Sequence, residues 1–296
     1  MLLLLLPLFY MPVTLIVILR ISVKLALAMK EKYVNVHLFL AITISIFMYL
    51  LFFLLDIFYL RLPATGIFTS WCASVQPNRY LNALYLVTFY VNYCTMLFPF
   101  LVSSMRLVLI QYPQKHSKIN RNILKFGLPL MFLYPSLFTF FMIPALGFCS
   151  QPNAPYQFGA FFIAFQGSWF GLRNNFFLLG NTVFWMSASM INNIVLFVKL
   201  VTLKSSLSKQ LQSQKSYRAE FSLTFTTFSM LFSYVSNGII VVCAQFFPTY
   251  THTAIMVRPF GNDLETCIVS WVFYLTYPIF RQKSVNIVMN NLKVNQ

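Results

Sequence analysis

Long uninterrupted apolar runs constrain this chain more than any other feature of its sequence. Residues 38–55, for example, contain no charged side chain at all. A run of about 18 or more apolar residues reads as a membrane span, because roughly 20 residues of helix cross the hydrocarbon. Backbone N–H and C=O groups find no water in lipid, so a span is either a helix or part of a closed barrel. The runs here are continuous rather than alternating, which excludes the barrel. Composition points the same way. Only 9% of the 296 residues are charged and 59% are hydrophobic, whereas a soluble domain carries about 25% charged residues. Such a chain cannot cover itself with a water-compatible surface.

Seven spans can be drawn, at about 2–23, 36–60, 81–105, 123–148, 175–198, 221–247 and 263–280. They predict an all-α membrane protein consisting of one seven-transmembrane helix bundle of rhodopsin-like architecture. The fourth span is interrupted by Pro129, Pro135 and Pro144, and the Phe-rich stretch 158–165 after it is too short to cross. The seventh is the weakest, since Asp263 and Glu265 at its start leave a marginal apolar length.

A net charge of +16 would suit a nucleic-acid binder, but the charges lie between the spans and mostly on one side. Of 21 Lys and Arg residues, only Arg61, Arg79, Arg173 and Arg258 fall on one side, which leaves seventeen on the other. Basic loops stay in the cytoplasm. The expected topology is therefore N-terminus outside and C-terminus inside. The opening Met1–Leu6 lacks both a positively charged flank before the apolar run and a small-residue cleavage site. It reads as an uncleaved first span rather than a signal peptide.

A few residues stand out against this apolar background. Arg106 closes the third span, with Pro113 seven residues later and a basic loop holding Lys115, Lys118 and Arg121. Rhodopsin-like receptors end their third helix in Asp-Arg-Tyr with a Pro at that same interval; in Met105-Arg106-Leu107 only the Arg corresponds. The functional reading is a guanidinium at the inner mouth of the bundle, paired at rest and turned toward a G protein on activation. The missing acid would have to come from elsewhere, and Glu220 at the inner start of the sixth span is placed to supply it. The plainer reading is an Arg snorkelling at a helix end. Tyr277-Pro278 keeps only the Pro of the Asn-Pro-x-x-Tyr found near the end of the seventh helix in those receptors.

Cys72 and Cys149 are the two cysteines placed in outer loops, where a disulfide is chemically allowed; the alternative is two free thiols. Cys94, Cys243 and Cys267 lie within spans and read as small packing residues. Asp56, the one acid assigned to the interior of a span, would pair with a ligand amine or with Arg61 at the membrane edge. Asp263 and Glu265 are read as first-turn acids meeting the positive end of the helix dipole, or, with Asp56, as ligand-pocket candidates. His37, His116 and His252 lie in separate segments without metal-ligand spacing. No P-loop, nucleophile elbow or paired carboxylates occur, so neither an enzyme nor a bound cofactor or metal is expected.

Four stretches carry a family resemblance: Arg61-Leu-Pro-Ala-Thr-Gly-Ile-Phe-Thr-Ser-Trp-Cys72, Asn92-Tyr-Cys-Thr-Met-Leu-Phe-Pro-Phe100, Ile143-Pro-Ala-Leu-Gly-Phe-Cys149 and Gly167-Ser-Trp-Phe-Gly-Leu-Arg-Asn174. Each resembles the corresponding segment of nematode class u serpentine receptors, part of the wider gamma-type serpentine group. The resemblance implies a chemosensory G-protein-coupled receptor in the plasma membrane of sensory neurons. Its partners would be a small-molecule ligand, a heterotrimeric G protein and membrane lipid, with no nucleic acid. The rival class is a polytopic transporter or channel. That class would show an internal repeat or ionisable groups at mid-membrane, and the spans as drawn hold only Asp56.

Overall fold

The computed structural model describes residues 6–28, 36–152, 159–206, 223–277 and 280. Within them the chain is an all-α bundle of seven long helices. Helix α1 spans Pro7–Ala28, α2 Val36–Ala64, α3 Arg79–Gln111, α4 His116–Met142 and α5 Asn174–Ser206. Helix α6 covers 223–246 with a break at Met230 and Leu231, and α7 covers Thr251–Thr276. Helices α1 to α6 are each long and apolar enough to cross a membrane.

Helix α3 is the central pillar. At 33 residues it rises about 50 Å, and two-thirds of its most apolar window is buried, with α2 and α5 as its main neighbours. Its apolar residues run all around rather than along a stripe, as expected of a helix enclosed by others. Its start is fixed by Asn78, whose side chain accepts a hydrogen bond from the Leu81 N–H at 2.9 Å. Helices α5 and α4 sit at the periphery, and residues such as Phe126, Leu130, Phe184 and Phe197 stay exposed there. Exposed apolar side chains in this number suit a helix surface that faces lipid.

Two strands interrupt the helical pattern. Strand β1 (Leu146–Ser150) pairs antiparallel with β2 (Phe162–Gln166), Cys149 opposite Ile163. The hairpin is laid across the start of α3, where Asn78 and Gly147 exchange both backbone hydrogen bonds at 2.9 Å. Only glycine fits there, because a Cβ on residue 147 would stand 2.3 Å from the Asn82 nitrogen. The Phe-rich stretch that is too short to cross the membrane thus supplies a strand.

Several boundaries differ from the sequence expectation. Helix α4 begins at His116 and ends at Met142, so Lys118 and Arg121 sit on its first turns rather than in a loop. Helix α3 continues to Gln111, so Arg106 lies inside the helix rather than at its end. The largest correction is α7, which starts at Thr251 rather than near residue 263. Asp263 and Glu265 are therefore mid-helix and buried, not first-turn capping acids. An apolar-length criterion ends a helix wherever charges accumulate. Here Arg258, Asp263 and Glu265 all turn into the bundle and leave the lipid-facing side apolar.

Candidate functional site

The three acids among the described residues, Asp56, Asp263 and Glu265, are all buried. Two of them meet on one guanidinium. Arg61 Nε donates to Asp56 at 3.0 Å, Nη1 donates to Asp263 at 2.9 Å, and Nη2 donates to the second Asp263 oxygen and, at 3.0 Å, to the Pro259 carbonyl. Tyr10 of α1 donates to Asp263 as well, and the guanidinium lies 4.9 Å from the Phe53 ring centroid. Local backbone geometry makes the pairing within α2 feasible. Residues five apart on an α-helix point about 140° away from each other, but Ile57–Arg61 form a π-helical turn, whose wider winding brings residues 56 and 61 to one face. The network thereby clamps α1, α2 and α7 together. Asp56 follows the Arg61 alternative of the sequence reading, although Arg61 is interior and not at a membrane edge. Glu265 stands apart, beside Tyr49 and Tyr234.

Next to this clamp, at the end of the bundle that carries the hairpin, lies a cavity of about 430 Å³. Its walls come from α2, α3, α5, α6, α7 and β2. Tyr59, Tyr85, Phe89, Phe162 and Phe165 make it aromatic, with Tyr85 packed in tilted contact against both Phe89 (4.5 Å between centroids) and Phe165 (4.8 Å). Thr251, Ile255 and Arg258 reach it from α7, at the i, i+4, i+7 spacing of a single helical face. Polar groups with spare hydrogen-bonding capacity converge on it: Asn174 Nδ2, Asn237 Oδ1, His252 Nδ1, and Nε and Nη2 of Arg258 have no hydrogen-bond partner among the described residues. An aromatic cavity with a few convergent polar groups is the usual form of a small-molecule site. A second cleft, about 390 Å³ between α5 and α6, is lined by Ile194, Phe197, Phe225 and Phe228, which are exposed on the lipid-facing surface.

The hairpin roofs the first cavity and is tied down twice, by the Asn78–Gly147 backbone pair and by a disulfide from Cys149 of β1 to Cys72, which lies on a short helix Thr69–Ser74 ahead of α3. The bond closes a sequence interval of 77 residues with Cα atoms 6.0 Å apart, and bridges of this kind contribute about 2–4 kcal/mol. Cys72→Ser and Cys149→Ser should each lower the amount of protein at the cell surface, and the double variant should match either single one. Additive losses, measured by surface biotinylation, would argue for two independent thiols.

At the opposite end, Arg106 is fully buried and reaches from α3 to α6, where Nη1 donates to Thr227 and Nη2 to Thr224, each at 2.8 Å. Thr227 in turn donates to Asn193 of α5 at 2.9 Å. Snorkelling is excluded by that burial. Glu220 and Pro278 lie outside the described residues.

The structure therefore brings Asp56 and Asp263 together, joins Cys72 to Cys149, and leaves Arg106 and Glu265 in separate surroundings. Sequence reasoning missed Arg258, Asn174, Asn237 and His252. A usable signal was present in Arg258, Asp263 and Glu265 falling within eight residues, a pattern that suits a polar helix interior better than a loop followed by a cap. Asp56 is not the lone ionisable group inside the helices, as a case against a transporter requires: Arg61, Arg258, Asp263 and Glu265 are buried there too.

Comparison with known proteins bears on the class directly. Residues 1–283 match the family described as serpentine type 7TM GPCR chemoreceptor Sru. Serpentine receptor class U-26 of Caenorhabditis elegans is 51% identical over 241 residues, covering 81% of this chain and 83% of that receptor.

Proposed function

We propose that this chain, which belongs to the Sru family of serpentine seven-transmembrane chemoreceptors, binds a small molecule in the roofed aromatic cavity and signals from the opposite end to a heterotrimeric G protein. Membership makes it a multi-pass membrane protein of a chemosensory receptor family rather than of an enzyme family. The observation that carries the finer reading is the division of one set of helices between two polar sites. Helices α3, α5 and α6 line the cavity through Phe89, Asn174 and Asn237, and the same three meet at Arg106, Asn193 and Thr227. A ligand that favours one arrangement of these helices at the cavity shifts the population at the other end as well.

The topology belongs to the proposal. With the hairpin and disulfide outside, the basic segments beside Arg106 and the C-terminal tail face the cytoplasm, where they would meet an acidic partner surface and anionic lipid. The plasma membrane of sensory neurons is the expected setting. The test is a reporter cell supplied with a promiscuous G protein and challenged with pooled odorants and secreted metabolites. Transfected cells should respond, and Asn237→Ala together with Tyr85→Ala should weaken that response without lowering surface receptor. A response that persists when the G protein is omitted would overturn the coupling. An epitope tag after Gln296 should need permeabilisation for staining.

A further inference from the structure

Among the described residues, Arg61, Arg106 and Arg258 are the buried cations, and the one that lines the cavity has no anionic partner. Arg61 is held by two carboxylates and a backbone carbonyl through four of its five N–H donors. Arg258 is 6% exposed, lines the cavity, and has no carboxylate within ion-pair distance among the described residues. Its Nε and Nη2 have no hydrogen-bond partner among the described residues, and the Phe52 and Phe89 rings stand 5.4 and 5.8 Å from the guanidinium carbon. A guanidinium cannot escape this by losing its proton. Ring faces attract a cation but satisfy none of its N–H donors. An ionisable residue at membrane depth is kept where it has a partner or a pathway to serve. No such partner is supplied to Arg258 by the described residues.

We infer that the ligand of this receptor carries an anionic group of the carboxylate or phosphate class, received by Arg258, with an apolar or aromatic body packed against Tyr85, Phe89 and Phe165. The inference rests on the cavity being the ligand site, as proposed above. The planar guanidinium fork matches both oxygens of a carboxylate or two of a phosphate. Asn174, whose Nδ2 faces the same cavity wall beside Tyr85, adds a further polar donor to the site. An amine ligand, the natural expectation had Asp56 been free, is disfavoured. Asp56 and Asp263 both bind Arg61, and although Asp56 keeps one buried oxygen without a partner among the described residues, neither acid lines the cavity, where an ammonium would face an uncompensated Arg258.

The full-length receptor, purified into phosphatidylcholine nanodiscs, allows a binding test independent of signalling. Four probes share one tail and differ in the head: 4-phenylbutyrate, 4-phenylbutyl phosphate, 4-phenylbutanol and 4-phenylbutylamine. At constant ionic strength the two anions should raise the melting temperature, and the alcohol and amine should not. Arg258→Met should weaken anion binding about 10- to 100-fold, the loss of charge-assisted hydrogen bonds, and Arg258→Lys should retain part of it. A second readout needs no ligand. If the guanidinium waits for an anion, Arg258→Met should leave the empty receptor as stable as wild type or more so, because an unsatisfied buried charge is removed.

Four results would overturn the inference: a shift from the alcohol or amine equal to that from the anions, no shift from either anion, undiminished anion binding by Arg258→Met, or marked destabilisation of the empty Arg258→Met receptor. Repeating the experiment with phosphatidylglycerol in the discs separates the sources. An anion shift that survives assigns Arg258 to a soluble ligand, and one that disappears assigns it to a lipid headgroup; both place an anion on Arg258. Reporter signalling fails or succeeds separately, so loss of the receptor reading cannot be mistaken for loss of this one.

Discussion

Arg61→Met should all but remove the receptor from the cell surface. The substitution keeps the bulk of the stem but strips two buried carboxylates, Asp56 and Asp263, of the cation that holds them. Removing one member of a buried ion pair costs about 3–5 kcal/mol, because the charge left behind is uncompensated. Total stabilities are of order 5–15 kcal/mol, so most of the chain would fail quality control. The penalty is one of imbalance rather than of lost attraction, and this gives the prediction its sharper half. Adding Asp56→Asn and Asp263→Asn to Arg61→Met should recover much of the surface population. Arg61→Lys should fall between, since an ammonium cannot donate at once to Asp56, both oxygens of Asp263 and the Pro259 carbonyl. Surface biotinylation and the melting temperature of purified protein provide the measurement. Wild-type levels of Arg61→Met would show that the clamp does not hold α1, α2 and α7 together, and a triple variant no better than the single one would locate the damage in lost packing instead.

This clamp also marks where sequence stopped informing structure. Helices such as α2 and α3 are visible from their runs of Leu, Ile and Phe, because burial and lipid contact demand the same residue types there. Helix α7 is obscured for the converse reason. Its inward side carries Arg258, Asp263 and Glu265, and a hydropathy count cannot tell a charge turned to solvent from one neutralised by a neighbouring helix. The neutralising partner, Arg61, lies 202 positions away from Asp263 and is aimed by a π-helical turn that leaves no mark in the pattern of apolar residues. Arg61 and Arg258 were counted with the loop charges on one side of the membrane. Both prove interior, and the exposed basic residues on that side reduce to Arg79 and Arg173. Strand β2 was hidden for a simpler reason. Residues 162–165 are apolar on both faces, having the cavity beneath them and α2 beside them, so the alternation that betrays a half-exposed strand is absent.

Arg106→Ala should reach the surface and bind ligand yet signal at a small fraction of wild type. The side chain spans from α3 to two hydroxyls one turn apart on α6, and each hydrogen bond to a charged group contributes about 1.5–3 kcal/mol. Held in this way, α6 is kept against α3 at the end opposite the cavity. Outward movement of α6 would release the guanidinium toward a G-protein helix. Arg106 then has two tasks, latch and contact, and they can be separated by substituting opposite ends of the interaction. Thr224→Val and Thr227→Val remove the acceptors while leaving the cation in place, so the double variant should raise basal signalling. A loss of even 1.4 kcal/mol from the latched state shifts the equilibrium tenfold. Glu220, four residues ahead of Thr224 in sequence, is proposed to contribute in the same sense, so that Glu220→Gln also raises basal output. Arg106→Lys should be intermediate in evoked signalling, since a single ammonium can satisfy one hydroxyl well but not both in the fork's geometry. Reporter output normalised to surface receptor decides the matter. Full signalling by Arg106→Ala would remove the residue from the switch. Unchanged basal activity in the double Thr variant would keep Arg106 as a contact and discard the latch.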